Sequence, residues 1–457
     1  MVVFSKHVIE STRASSLHLM STVQQHLTRR QRRALIKNGR RMGCPTRPRE
    51  RTSIADIYRD AGDTFFRRSF RMSFTNFKLL YKSVKTRMRA VMMEHISRPN
   101  APNGRIKLSS RLGMAIRVFA GGDALDIHQV FGVSYCEVFR SVDIVIDAVN
   151  SCPDLSIEFP SDHNQQRKIA QHFQKDSAAG FSCCCGCIDG LLIWTHKPSA
   201  KDCEELGVGC NQFFCGRKHK YGLNLQAICD AHLRFRHISI LFGACSSDTL
   251  AFELTDLKQN LDRQGFLAPG LCLFGDNAYI NTSFLATPYP NVSASNDNLT
   301  KDAYNYFHSN VRIKIECAFG LLVQRWGFLR RKAPKPYSTA KTVTVVSCLC
   351  RLHNFLIDRR LEDTNTPLLP PDHTATDDFS MYLGGAAPMA SIHGTEHLTA
   401  PQLTDAGNHC NDHDRRTMAR EAAAVTAASN CTLPREILHA LVVEQHLSRP
   451  ETQPQQR

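Results

Sequence analysis

The stretch CCCGCIDGLLIW, residues 183–194, is an apolar run of strand length interrupted by a single acid, Asp189. Two more runs of the same texture follow, YGLNLQAICD at 221–230 and FRHISILFGAC at 235–245, joined by the turn-like Asp230-Ala-His232. Residues 248–263 then read as helical and lead into GLCLFGD at 270–276. Three strands, a helix and a fourth strand make an α/β layer pattern. Farther on, Val311, Ile315, Ala318, Phe319, Leu322 and Trp326 keep one buried stripe, which predicts a helix over Val311–Leu329. Another helix is expected from about Ser338 to Arg360.

Upstream of this core the pattern is helical. Ile54, Ile57, Tyr58, Phe65, Phe66, Phe70, Phe74 and Phe77 recur at mixed three and four spacing, and Arg98–Gly104 is a dense turn signal. Leu108–Asn150 reads as three short helices: Asp123 caps the second, Gly132 breaks it, and Ser134 with Glu137 has capping-box spacing before the third. This is a helix-turn-helix-like pattern, but early polar contacts on the third helix are limited to Ser134, Tyr135 and Arg140. A sequence reader and a purely structural three-helix unit both fit. The expected organisation is a basic disordered arm at 1–52, a helical region at 53–150 with the helix-turn-helix-like unit at 108–150, an α/β domain at 180–360, and an acidic, mostly disordered tail at 361–457. That tail carries a short helix near Glu436–His446.

Charge points to a partner. The 457 residues carry +15 overall, yet residues 361–457 hold 6 arginines against 13 acids, so residues 1–360 carry +22. A body this basic suits a polyanion, most simply nucleic acid. No run approaches the roughly 18 apolar residues of a bilayer span, and Lys6, His7, Glu10 and Arg13 break up any secretory core, so an intracellular protein without a membrane segment is expected. The 18 cysteines fall short of a disulfide scaffold. Cys184 and Cys187 form a C-x-x-C without a second pair at finger spacing, and Cys203, Cys210, Cys215 and His219 fit no common finger, which favours buried thiols over zinc. His353 and Asn354 are expected to pack or hydrogen-bond beneath the sheet.

Three acids stand where an apolar strand ends or a buried helix turns: Asp189, Asp276 in Phe-Gly-Asp-Asn-Ala-Tyr, and Glu316 in Lys-Ile-Glu-Cys-Ala-Phe-Gly. Carboxylates in such surroundings need a cation or hydrogen bonds, because burying an unpaired charge costs several kcal/mol. Their hard oxygens suit Mg²⁺ or Mn²⁺, and a pair of such ions activates a nucleophile and stabilises a leaving oxygen. Convergence of the three carboxyl groups within roughly 4–8 Å is therefore expected. The competing readings are a helix cap for Asp248 and an i,i+4 bridge to Arg312 for Glu316.

The ordered set Ile188-Asp189-Gly190 with Thr195-His-Lys-Pro198, RKHKYGLNLQAICD, SSDTLAF, GDNAY, YNYFHSNVRIKIECAFGLLVQRW and CLCRLHNFL resembles the nuclease domain of the PIF/Harbinger superfamily of DDE transposases. The resemblance covers roughly 180–360, and 53–150 also looks like the family's helical part. It implies a ribonuclease H-like mixed sheet flanked by helices, and a divalent-metal-dependent DNA endonuclease and strand-transferase. The alternative is a domesticated, non-catalytic DNA-binding or regulatory protein on the same fold. By this resemblance Asp189, Asp276 and Glu316 are catalytic and, with Asp248, ligate Mg²⁺ or Mn²⁺. At one point the chain departs from the family, reading Gly243-Ala244-Cys245 where Pro-Gly is frequent before SSDTLAF. The basic residues Arg312, Lys314, Arg325, Arg330, Arg331, Lys332 and Lys335 around the acid-bearing helix, with Arg140, are the candidate DNA contacts. DNA, a separate Myb-like DNA-binding protein and a homo-oligomer are the implied partners, and the nucleus, with the cytoplasm second, the implied location.

Overall fold

The computed structural model describes residues 50–94, 105–290, 292, 298–334, 337–362 and 433–450. Residues 51–99 and 106–457 belong to one compact unit. Of the other, residues 1–50 and 100–105, only Glu50 and Arg105 are described, so nearly all of the expected basic arm lies outside the described residues, as do Lys335 and most of the acidic tail.

The helical part comprises α1 (Ile54–Phe70), α2 (Phe74–Glu94), α3 (Leu108–Phe119), α4 (Ala124–Val130), α5 (Tyr135–Asn150) and α6 (His163–Asp176). β1 (Cys184–Thr195) and α7 (Ala200–Leu206) follow, then β2 (Phe214–Cys215), β3 (Lys220–Cys229) and β4 (Phe235–Gly243). Next come α8 (Asp248–Glu253), α9 (Asp256–Leu261), β5 (Cys272–Phe274), β6 (Leu285–Ala286), α10 (Leu299–Arg325), α11 (Thr339–Glu362) and α12 (Pro434–Glu444). β1 is the middle strand. It runs antiparallel to β3, with Asp189 opposite Ala227, and parallel to β5, with Cys187 opposite Phe274. β6 continues the parallel side, while β4 pairs antiparallel with β3, giving the mixed order β4-β3-β1-β5-β6. A strand covered on both faces reads as a continuous apolar run, which is why 183–194 lacks alternation. Cys187, Leu191 and Ile193 join a core with Val311 and Ile315 of α10, whereas Ile188 packs with Phe252 of α8 and Leu257 of α9. Asp189 shares the parity of Cys187 and Leu191 and so faces α10.

Helix α10 begins twelve residues earlier than Val311, because Ala303, Tyr304, Phe307 and His308 continue its buried stripe. His308 is fully buried, stacked on Phe274, with its Nε2 3.1 Å from the Ala286 carbonyl. The helical stretch 248–263 is two helices, each with its own cap: the Ser247 hydroxyl accepts from Leu250 N–H and the Thr255 hydroxyl from Lys258 N–H. Helix α6 was not legible in advance, its buried face being only Gln166, Ile169, Ala170 and Phe173.

Asp123 and Gly132 act as expected, the first accepting from Leu125 N–H and the second adopting φ 61°. The capping box at Ser134 does not form. Ser134 occupies the N-cap without a side-chain bond, and Glu137 instead pairs with Arg111 at 2.9 Å and Arg140 at 2.8 Å. Helix α5 packs against α2, α3, α4 and α11. Ser134, Tyr135 and Arg140, the expected polar contacts, are all exposed, together with Cys136, Asp143 and Asp147.

The helical part and the α/β layer share one core. Trp326 is buried edge-on against Phe119, and Gly121 and Gly327 touch so closely that a Cβ on Gly327 would stand 2.6 Å from the Ala120 carbonyl. Asn150 donates to the Thr344 carbonyl, and Arg351 to that of Leu155. On α11, His353 and Asn354 lie beneath the sheet as expected. Asn354 accepts from Phe235 N–H at 2.8 Å and donates to its carbonyl at 2.7 Å, acting as a strand partner at the start of β4. The expected tail helix appears as α12, with Leu438 and Val442 buried and Arg435 over the Tyr289 ring.

Burial lowers both His308 and His353 to about 3. Between the unfolded value near 6.5 and that folded value the unfolded chain binds more protons, so stability is complete above pH 6.5 and drains away as pH falls toward 3. Each histidine should contribute up to about 1.4 kcal/mol per pH unit in that window. Urea unfolding of His353→Gln across pH 4–7 should show a shallower pH dependence than the parent; an unchanged slope would refute this assignment.

Candidate active site

β1 carries Asp189 to the middle of the sheet, the loop after β5 presents Asp276, α8 opens with Asp248, and α10 carries Glu316. Asp189 Oδ1 accepts from Gly190 N–H at 2.8 Å, and its Oδ2 lies 3.3 Å from Arg312 Nη1. The same guanidinium holds Glu316 Oε1 through Nη2 at 2.5 Å. These three side chains are only 12–20% exposed. The i,i+4 bridge weighed for Glu316 therefore exists, but it is shielded and shared with a strand acid 123 residues away in sequence. Asp276 Oδ1 accepts from Ala278 N–H at 2.8 Å.

Asp248 is not the cap of its helix; Ser247 is. The Asp248 carboxylate turns into the sheet, where Oδ1 accepts from Asn224 at 3.1 Å and Gln226 at 2.8 Å. It lies so close to β1 that a Cβ at Gly190 would fall 2.1 Å from its Oδ1, so only glycine fits after Asp189. Tyr279, from GDNAY, is buried and donates to Gln226 Oε1 at 2.6 Å, while Thr249 donates to the Ala278 carbonyl and ties α8 to the Asp276 loop.

Crowding of like charge is visible in the acids' protonation. Burial, then the neighbouring Asp276 charge, pushes Asp189 up to about 8, with Asp248 adding to the rise and Arg312 and the Gly190 N–H opposing it. Burial likewise raises Asp248 against the pull of its amide donors. Arg312 responds in the opposite sense: burial alone would lower it, but Asp189, Glu316 and Asp276 together hold it above the usual guanidinium range. Among the described residues, no three acid, histidine or cysteine side chains are already drawn together as a ligand set. Asp189 and Glu316 meet through Arg312 and do not face each other directly. The donor chemistry nevertheless suits a hard cation: Asp189 and Glu316 share the Arg312 guanidinium, the charges of Asp276 and Asp248 act on Asp189, and Asp276 and Glu316 each engage one oxygen in the bonds above, leaving a second.

Of the other expected site residues, Arg140 is exposed and paired with Glu137, and Lys314 pairs with Asp176 at 2.6 Å. Arg325 is buried, donates toward the His353 carbonyl and is lowered to about 10 by burial, so it cannot face a phosphate. Arg330 donates to the Gln324 carbonyl at the end of α10, whereas Arg331 is exposed. Cys184, Cys185 and Cys187 are buried thiols, and burial raises Cys185 far above the usual range. Sequence reasoning missed Asn224 and Gln226, although polar residues at alternate positions of an otherwise apolar strand are the signal of an inward polar network. It also placed Arg312 among the DNA contacts, weighed it only as an i,i+4 partner of Glu316, and did not foresee its contact with Asp189.

Residues 188–354 match the family described as DDE superfamily endonuclease. This segment is a DDE endonuclease domain. The Harbinger resemblance of the motifs is borne out by relatives, each named "Putative nuclease HARBI1". The Bos taurus protein is 21% identical over 280 residues, covering 60% of this chain and 75% of its own. The Homo sapiens protein is 21% identical over 281 residues (61% and 75%), and that of Xenopus laevis 22% over 280 (58% and 73%). No solved structure matches the chain. The mixed sheet with its flanking helices is the ribonuclease H-like arrangement of a DDE domain, and the match supports nuclease chemistry at the level of the family. Among the described residues no helix is long and apolar enough to cross a membrane.

Removing one of the crowded charges should relieve repulsion. In metal-free buffer near pH 8, Asp189→Asn should raise unfolding stability by roughly 1–3 kcal/mol, as substitutions at strained active sites often do. A lower unfolding midpoint would show that the Asp189–Arg312 bridge outweighs the repulsion.

Proposed function

We propose that the chain is a divalent-metal-dependent DNA endonuclease and strand-transferase that cuts phosphodiester bonds at the ends of a DNA element. The observation that carries this reading is the Arg312 bridge between Asp189 and Glu316, with Asp276 and Asp248 close enough for their charges to act on Asp189, inside the segment that matches the DDE superfamily endonuclease family. Such a cluster is costly for folding, and a binding module has no use for it.

Asp189, Asp276 and Glu316 would hold Mg²⁺ or Mn²⁺, with Asp248 as a fourth ligand. Bound there, the ions would supply Lewis acidity, making water or a freed 3′-hydroxyl a better nucleophile and neutralising charge on the leaving oxygen. The protein's own groups do the positioning. Asn224 and Gln226 fix the orientation of Asp248, Tyr279 fixes Gln226, and Gly190 lets the α8 acid lie against β1. Arg312 tempers the negative field that would otherwise repel a phosphate. DNA is the substrate this chemistry serves, and the nucleus its place of action. A separate Myb-like DNA-binding protein would supply targeting, and a homo-oligomer would bring two element ends together.

Purified protein should be assayed with Mn²⁺ on a duplex carrying candidate element ends. Asp276→Asn should lower cleavage by at least 10³-fold, in line with losing a principal ligand of catalysis, while DNA affinity stays within about threefold. Cleavage by Asp276→Asn at the parental rate would reject the assignment, and a parent that never cuts, with metal binding unaffected by the substitution, would leave a non-catalytic DNA-binding protein.

A further inference from the structure

One end of the sheet bears a group of cations that the acid site does not use. The tight turn between β2 and β3 consists of Gly216, Arg217, Lys218 and His219, all exposed, with His219 at φ 51°, and Lys220 opens β3. Strand register sets Tyr221 opposite Thr195 and Gly222 opposite Trp194, so this turn stands beside the end of β1, where the exposed His196 and Lys197 emerge. The Lys220 ammonium sits 5.3 Å from the Trp194 ring centroid. From the other direction, Ala333 N–H donates to the Trp194 carbonyl at 3.1 Å, which brings the exposed Arg331 and Lys332 to the same lip. A cleft of about 260 Å³ opens there, lined by His196, Lys197, Ser199, Tyr337 and Ser338 among others.

No ion pair joins any of these cations to an acid among the described residues, in contrast to Lys314, Lys341 and Arg140. The nearest acid in the cleft wall, Asp202, is engaged by Ser199 in a capping box. Along β1, the six residues from Asp189 to Thr195 span about 20 Å at 3.3 Å per residue. That distance corresponds to roughly six base pairs of duplex.

We infer that this lip, formed by Lys197, Arg217, Lys218, Lys220, Arg331 and Lys332, is a phosphate seat that grips duplex DNA about six base pairs from the bond being cut. The inference rests on the nuclease reading for its substrate and adds where the flanking duplex lies. It replaces most of the basic track expected around α10, retaining Arg331 and Lys332. Unpaired lysines and arginines on a rigid β-turn and a strand end contact phosphates without reading bases, so the seat contributes affinity and register and not sequence choice.

The test is equilibrium binding of the full chain to a duplex of about 30 base pairs over a series of salt concentrations. Lys197→Ala, Lys218→Ala and Lys332→Ala together should reduce the slope of log affinity against log salt by about 3, with at least a tenfold loss near 0.1 M salt. A charge-matched control removes Lys78, Lys82 and Lys85, exposed on one stripe of α2, and should change the slope by less than one unit. The triple Arg replacement at 197, 218 and 332 should restore the parental slope, which separates lost charge from lost folding. An unchanged slope in the alanine variant, or an equal loss from the α2 control, overturns the seat. Cleavage by the parent with Mn²⁺ is read in parallel. A parent that cuts DNA while the alanine variant keeps its slope sinks the seat alone, and one that never cuts while the variant loses its slope sinks the nuclease reading alone.

Discussion

A single guanidinium joins the strand acid of the site to its helical acid. Arg312 reaches from α10 to Asp189 on β1 and to Glu316 one turn along its own helix. At the effective dielectric of a partly shielded site, two carboxylates a few ångströms apart repel by a few kcal/mol. Packing a helix that carries Glu316 against a strand that carries Asp189, with Asp276 and Asp248 alongside, would be strongly opposed without a cation between them. The close approach of Glu316 on α10 to Asp189 on β1 depends on that contact.

The surrounding structure keeps the cluster from relaxing. Gly190 gives Asp248 no room for a side chain between it and β1, and two amides on β3 hold its oxygen. Helix α10 is anchored at its C-terminal end by Trp326, which is buried against the helical part, and at its N-terminal end by Tyr289, Tyr304 and α12. The helical part and the DDE domain are thus one packed body, in which shifts of α5 or α11 would be felt at α10. Strain at the site is offset by packing around it, as is usual for catalytic centres.

Much of this was legible in the sequence. β1, β3 and β4 could be located because they are apolar, β-branched or aromatic runs of strand length, the last two joined by Asp-Ala-His, and β5 because Gly270 and Gly275 bracket a short run. The acids stood out as charges among apolar neighbours. What was not legible depended on contacts distant in sequence. Arg312 looked like one cation in a basic field, and only the pairing of α10 with β1 shows that it points inward. His308 hid the first three turns of α10 because a buried histidine reads as polar. Glu137 had the spacing of a capping box, but Arg111, 26 positions away, competes for its carboxylate and wins. Arg325 likewise read as a surface cation until Trp326 and α11 enclosed it.

The most direct measurement of the central claim is a crystal structure of the protein soaked in Mn²⁺, with the metal located by its anomalous scattering. The account predicts density among the carboxylates of Asp189, Asp276 and Glu316, with the Arg312 guanidinium displaced from at least one of its two acid partners. Crystals that take up no manganese at this cluster while Arg312 keeps both bridges would contradict it, and the acids would then be a structural ion network.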